Sequence, residues 1–216
     1  MKSTNIKIEK SFLELLNTVK RLRSDDGCPW DLEQTSESLS QYLLQETYEV
    51  LECIDNSNYK DLKGELGDLL FQILIQSLIG EEENKFSILD VIMSINTKLI
   101  NRHPHVFGDS KSKVDSKSVI KNWGEIKKSE TKDNKSYIKG ISTTLPSLSF
   151  AFDLYRKSND INIDLDEDKD FEDYSTTEII NTIFKLSSAA SRKNIDLENE
   201  FRKYLKAKQL DIISKA

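Results

Sequence analysis

Apolar residues recur at threes and fours along most of this chain, and that spacing restricts it to helices packed face to face. In the first stretch, roughly 5–23, Ile8, Phe12, Leu15, Leu16, Val19 and Leu22 fall on one face. The pattern resumes over about 36–55 (Leu39, Tyr42, Leu43, Val50, Ile54) and 59–81 (Leu62, Leu66, Leu69, Leu70, Ile73, Leu74). It continues over 87–102 (Ile88, Val91, Ile92, Ile95, Leu99) and 115–130 (Val119, Ile120, Trp123, Ile126). The breaks carry turn chemistry. Gly27 suits a helix end, Pro29 disfavours the helical region at Cys28, and DNSN at 55–58 is a turn cluster. No alternating run bounded by turn dipeptides marks a strand, and the 216 residues include only seven Gly and three Pro. The expected fold class is all-α.

The segment ETKDNKSYIKG, 130–140, reads as a charged polar linker. The expected organisation is a helical module over 1–130, a linker over 131–147 and a second helical region over 148–216. The last region carries helical patterning near 145–158, 175–194 and 196–209, and its acidic run DLDEDKDFEDY, 164–174, reads as a solvated loop.

Bulk properties exclude several functions. The formal net charge of −6 makes non-specific nucleic-acid binding unfavourable, because neutralising phosphates needs clustered Lys and Arg. Two cysteines, Cys28 and Cys53, are too few for a disulfide framework or a structural zinc site. The N-terminal MKSTNIKIEKSF lacks the apolar run of a secretory signal, and LLFQILIQSLI, 69–79, is too short to span a bilayer. The expectation is a soluble cytoplasmic protein with neither nucleic acid nor membrane as partner.

Four acids stand apart from the other charges. Glu46 and Glu49 are i and i+3 on the second long helix, and Glu65 and Asp68 repeat that spacing on the third. Three-residue spacing puts each pair on one helix face. Leu43, Val50, Leu62, Leu66 and Leu69 flank these positions, and the short 55–58 connection makes the two helices antiparallel neighbours. The pairs can therefore face each other. Converging carboxylates repel and cannot all stay ionised unaided. A hard divalent cation resolves this; Mg²⁺ takes oxygen ligands and keeps waters for substrate phosphates, with Mn²⁺ able to substitute. Gly64 and Gly67, either side of Glu65, suggest a close approach by something large. The plainer alternative is a set of surface salt bridges.

At this point the sequence resembles the MazG family of nucleotide pyrophosphohydrolases. RLRSDDGCPWDLEQT (21–35) is similar to the family's GCPWDxxQT opening, YLLQETYEVLECI (42–54) to its EExxE helix and DLKGELGDLLFQ (61–72) to its ExxD helix. KLINRHPHVFGD (98–109) is similar to its KLxRRHPHVFGD segment, and NWGEIKKSE (122–130) to its NWExxKxxE segment. The resemblance covers about residues 10–130.

It implies an all-α MazG-like helical bundle that assembles as a homodimer or higher homo-oligomer. It also implies Mg²⁺-dependent hydrolysis of nucleoside triphosphates to nucleoside monophosphate and pyrophosphate, in nucleotide-pool housecleaning. The implied metal ligands and catalytic residues are Glu46, Glu49, Glu65 and Asp68. Attack would fall on the α-phosphorus, with an uncommitted carboxylate taking the water's proton. Lys98, Arg102, Trp123 and Lys127 match positions that contact nucleotide. Their chemistry is compatible: Lys98 and Arg102 are i,i+4 cations suited to phosphate, and Trp123 can stack on a base beside Lys127. The plainer reading of these four is a surface cation pair and a core Trp. Trp30 could also approach a base, or plug the core beside Pro29. His103 and His105 flank Pro104, a poor ligand spacing that favours a structural or oligomer-contact role.

The chain departs from the pattern in places. Gln45 stands where the family's first motif has an acid, and Asn101 where it has Arg. The segment 177–206 is similar to a second module's ExxD helix, but Asn181 replaces the Asp opposite Glu178 and no EExxE helix precedes it. That half is expected to be a degenerate module without the metal-ligand set. These departures motivate the alternative of a catalytically weak module that binds nucleotide or a partner protein.

Overall fold

The computed structural model describes residues 2–108, 115–163 and 173–215, and every regular element among them is a helix. The all-α expectation is met. The chain divides into two compact units, Met1–Phe107 and Gly108–Ala216.

The first unit contains α1 (Lys2–Leu22), α2 (Pro29–Glu33), α3 (Ser36–Asp55), α4 (Tyr59–Glu82), α5 (Ile88–Arg102) and the short α6 (Pro104–Phe107). Helix α1 ends where Gly27 turns under it: a Cβ at Gly27 would sit 2.2 Å from the Arg21 carbonyl oxygen, so only glycine fits. Cys28 is extended (φ −84°, ψ 119°), as the following Pro29 requires. Thr35 and Ser38 form a reciprocal capping box that starts α3. Asn58 caps α4 by accepting from the Asp61 N–H, and Ser57, at φ 53°, makes the tight reversal between α3 and α4.

Helices α3 and α4 form the spine of this unit. Val19, Leu39, Leu74, Ile75 and Ile79 make a buried cluster, with Phe12, Leu15, Leu16, Tyr42, Leu70 and Phe71 packed against it. Burying each large aliphatic side chain contributes roughly 1.5–3 kcal/mol. Arg23, only 6% exposed, ties the entry loop to the far end of α4. Its Nε and Nη2 donate to Glu82 at 3.0 and 2.6 Å, and its Nη1 donates to the carbonyls of Gln34 and Asp31. This clamp ties α2 and its C-cap residue Gln34 to the end of α4.

Several positions expected inside lie outside. Leu43, Ile54, Leu66 and Ile73 are exposed, and α5 buries none of its residues, with Ile92, Ile95 and Leu99 all 43–50% exposed. Periodicity marks an apolar stripe along α5, and among the described residues of the first unit that stripe stays largely uncovered.

The second unit contains α7 (Ser116–Ser129), α8 (Asn134–Lys139), α9 (Ser147–Asp160), α10 (Thr176–Arg192) and α11 (Leu197–Lys215). The expected boundary near 130 is displaced: the division falls after Phe107, and α7 joins this unit. The expected linker over 131–147 is also corrected. Asp133 caps α8 within it, and Tyr137, Ile138 and Ile141 are buried at the centre of the core with Phe150, Leu154, Leu205 and Ile212. The Tyr137 hydroxyl donates to Asp160 Oδ2 at 2.7 Å, Lys157 Nζ donates to the Tyr137 carbonyl at 2.8 Å, and Gln209 donates to that of Ile138 at 3.0 Å. Two adjacent apolar residues set among charges are enough to anchor a six-residue helix. Lys128 of α7 donates to the Asp160 carbonyl at 2.6 Å. Most of the acidic run 164–174 lies outside the described residues.

Candidate functional site

The α3–α4 hairpin carries the acids. Glu49 and Glu65 stand equally far in sequence from Ser57 at its tip, so antiparallel packing sets them opposite one another. Glu46, Glu49 and Glu65 each offer a carboxylate oxygen, and these oxygens all lie within 4.8 Å of one another. All three side chains are half-buried. Asp68, expected as the fourth member, lies outside this group and is exposed.

The electrostatics follow from the crowding. Burial, followed by the charges of Glu49, Asp68 and Glu65, holds the Glu46 carboxyl above the usual carboxylate range. Burial, the charge of Glu49 and a hydrogen bond with it do the same for Glu65. Asp68 thus acts on both groups by charge. Three crowded carboxylate oxygens, two of them on carboxyls biased toward protonation, fit a hard divalent cation in both donor type and charge. Gly64 and Gly67 open the α4 surface beside Glu65: among the described residues nothing comes within 4 Å of a Cβ at either place. Among the described residues no side chain makes the close approach expected there.

Two neighbours of the acids were not singled out from the sequence as partners. Gln45 donates its side-chain Nε2–H to Glu49 Oε1 at 2.8 Å. Buried Cys53 lies one turn beyond Glu49; its thiol is pushed up by burial first and then by Glu65. Their i,i+4 spacing from Glu49 is the signal that marks both. An open groove of about 380 Å³ runs along α3 beside the acids, lined by Gln41, Leu44, Gln45, Tyr48, Glu49 and Glu52.

The expected nucleotide contacts are distributed over both units. Trp30 is 48% exposed, not a core plug, and meets Tyr42 edge-on at 5.7 Å between ring centroids. Tyr42 lies one turn before Glu46 on α3. Exposed Lys98 lines an open groove of about 410 Å³ with Phe86, Asp90, Val91, Ser94 and Ile95. Arg102 closes the last turn of α5, and His103 follows it with Nδ1 bonded to the Leu99 carbonyl at 2.5 Å. That contact gives His103 a structural role. Trp123 and Lys127 belong to the second unit, where the Lys127 ammonium lies 5.8 Å from the Trp123 ring centroid. Glu178, the retained acid of the shortened half, is a helix cap: it accepts from the Ser175 N–H and hydroxyl at 2.8 and 2.6 Å.

The family model described as the MazG nucleotide pyrophosphohydrolase domain matches residues 34–107. The chain is 42% identical over 154 residues to the nucleoside triphosphate pyrophosphohydrolase/pyrophosphatase MazG of Thermotoga maritima, across 71% of this chain and 58% of that one. Over residues 34–107 the chain is similar to the MazG family. The matched segment runs from the end of α2 through α6, so it contains all four acids together with Lys98 and Arg102. A further relative, the uncharacterized protein YabN of Bacillus subtilis, is 43% identical over 146 residues, covering 67% of this chain and 30% of its own. The chain therefore spans between about a third and three-fifths of these curated relatives' lengths. Among solved structures, a mazG-related protein from Thermotoga maritima aligns with a TM-score of 0.46 and 28% identity, over 53% of this chain and 97% of that one. No helix among the described residues is long and apolar enough to cross a membrane.

Proposed function

We infer that this protein hydrolyses nucleoside triphosphates to the monophosphate and pyrophosphate, with Mg²⁺, or Mn²⁺ in its place, held by Glu46, Glu49 and Glu65. The observation that carries this reading is the convergence of three carboxylates from two helices inside the MazG-matched segment. When bound, the cation supplies Lewis-acid polarisation of phosphoryl oxygens and neutralises the leaving pyrophosphate.

The chain's own residues divide the remaining work. Asp68, exposed and outside the triad, would be the uncommitted carboxylate that takes a proton from the attacking water. Lys98 and Arg102 offer cations to the outer phosphates. Trp30, half exposed, offers an aromatic face to a base, and within the second unit Trp123 and Lys127 form an aromatic–cation pair of the same chemistry. The uncovered apolar stripe of α5 supports assembly as a homodimer or higher homo-oligomer. A nucleotide-pool housecleaning role is part of this reading, and it rests on the resemblance to the pyrophosphohydrolases.

A second reading is supported by Gln45 and by the conversion of Glu178 into a cap: a nucleotide-binding module with weak catalysis. Pyrophosphate release measured across the common ribo- and deoxynucleoside triphosphates separates the two. The enzyme reading expects Mg²⁺-dependent release by the full chain and loss of it in Glu65→Gln. Nucleotide binding without release would favour the second reading.

A further inference from the structure

Gln45 is exposed, so no packing holds its side chain, yet its amide is directed onto Glu49 at 2.8 Å. Glu49 also brings a carboxylate oxygen within 4.8 Å of one of Glu65 across the hairpin. The Glu49 carboxylate is therefore gripped from its own helix while it faces the opposite one. An amide nitrogen can only donate, so it restrains one carboxylate oxygen without competing for a cation. An acid at this place would add another negative charge to a site already crowded with them.

We propose that Gln45 is a positioning residue for the divalent-cation site: through its hydrogen bond to Oε1 it fixes the rotation of the Glu49 carboxylate toward Glu46 and Glu65. This rests on the metal-site reading above. A hydrogen bond from outside the ligand set orients a ligand before the cation arrives, which lowers the entropy lost on binding. The plain alternative is an i,i+4 pair that only decorates the helix surface.

The test is a calorimetric titration of Mg²⁺ into the full chain and into Gln45→Met and Gln45→Leu. Both replacements are strong helix formers that lack a donor, so α3 is expected to keep its circular dichroism. Both should weaken Mg²⁺ affinity about tenfold, the lower end for partners of metal ligands, because the bond is exposed. In nitrogen-edited NMR, the Gln45 side-chain amide signal should shift in Glu49→Gln and again when Mg²⁺ saturates the wild type. Unchanged Mg²⁺ affinity in both Gln45 variants would overturn the proposal. Glu46→Gln and Glu65→Gln serve as controls. If they abolish binding while the Gln45 variants do not weaken it, the metal site stands and only the role of Gln45 is lost. If wild-type binding is absent or indifferent to these controls, the metal-site reading falls and the proposal falls with it.

Discussion

Glu49 on α3 and Glu65 on α4 reach across the helical hairpin and bring carboxylate oxygens within 4.8 Å of each other, with Glu46 completing the group. Without a cation this arrangement opposes folding. The carboxyls of Glu46 and Glu65 are raised by burial and mutual charge. A raised pKa contributes stability that is present below the unfolded value and lost as pH rises through the folded one. The metal-free protein should therefore lose some stability as pH rises above the ordinary carboxylate range, and Mg²⁺ should restore it. Protons compete for the same oxygens, so Mg²⁺ affinity should fall as pH drops toward that range. Thermal unfolding between acid and neutral pH checks this: the gain in Tm on adding Mg²⁺ should grow toward neutrality. A gain independent of pH would contradict it.

Gly64 and Gly67 lie within α4, where a Cβ meets open space. Replacing either with Ala should stabilise the protein by about 1 kcal/mol, because Ala forms helix better and no clash offsets the gain. Urea unfolding measures this. Stabilisation accompanied by a higher KM for nucleotide would identify what the open surface accommodates.

Arg23 joins the entry loop to α4 through Glu82 and two carbonyls. Arg23→Ala leaves the carbonyls of Asp31 and Gln34 without this donor and should cost about 2–3 kcal/mol. Arg23→Lys should recover only part, since an ammonium cannot hold Glu82 bidentately and reach both carbonyls. Denaturation midpoints of the two variants provide the comparison.

Burial, then the hydrogen bond to Asp160, pushes the Tyr137 hydroxyl up to about 12 from 10.0. The neutral form is the one the fold prefers. Its contribution to stability is fully present below the ordinary tyrosine value and lost as pH rises through about 12. Tyrosinate absorbance in an alkaline titration should show one late-ionising tyrosine, absent in Tyr137→Phe.

The sequence made the acids legible because two i,i+3 pairs and a short turn leave little freedom: Glu46, Glu49 and Glu65 meet as the spacing requires. Asp68 falls at the rim because the same spacing fixes a helix face but not the distance across the hairpin. Tyr137 and Ile138 were hidden for another reason. Two apolar residues cannot establish a period, so their charged neighbours made a core segment look like a linker. Along α5, periodicity identified the apolar stripe but carried no information about what covers it. Gln45 was visible as a departure from a motif, yet its bond to Glu49 emerges only once side chains are placed.

The central claim is that the cation held by Glu46, Glu49 and Glu65 serves attack of water on the α-phosphorus of a nucleoside triphosphate. Hydrolysis in ¹⁸O-labelled water with Mg²⁺, followed by mass spectrometry of the products, tests it most directly. The account predicts label in the nucleoside monophosphate, unlabelled pyrophosphate, and no label incorporation in Glu65→Gln. Label in inorganic phosphate beside a nucleoside diphosphate, or turnover unaffected by Glu65→Gln, would contradict it.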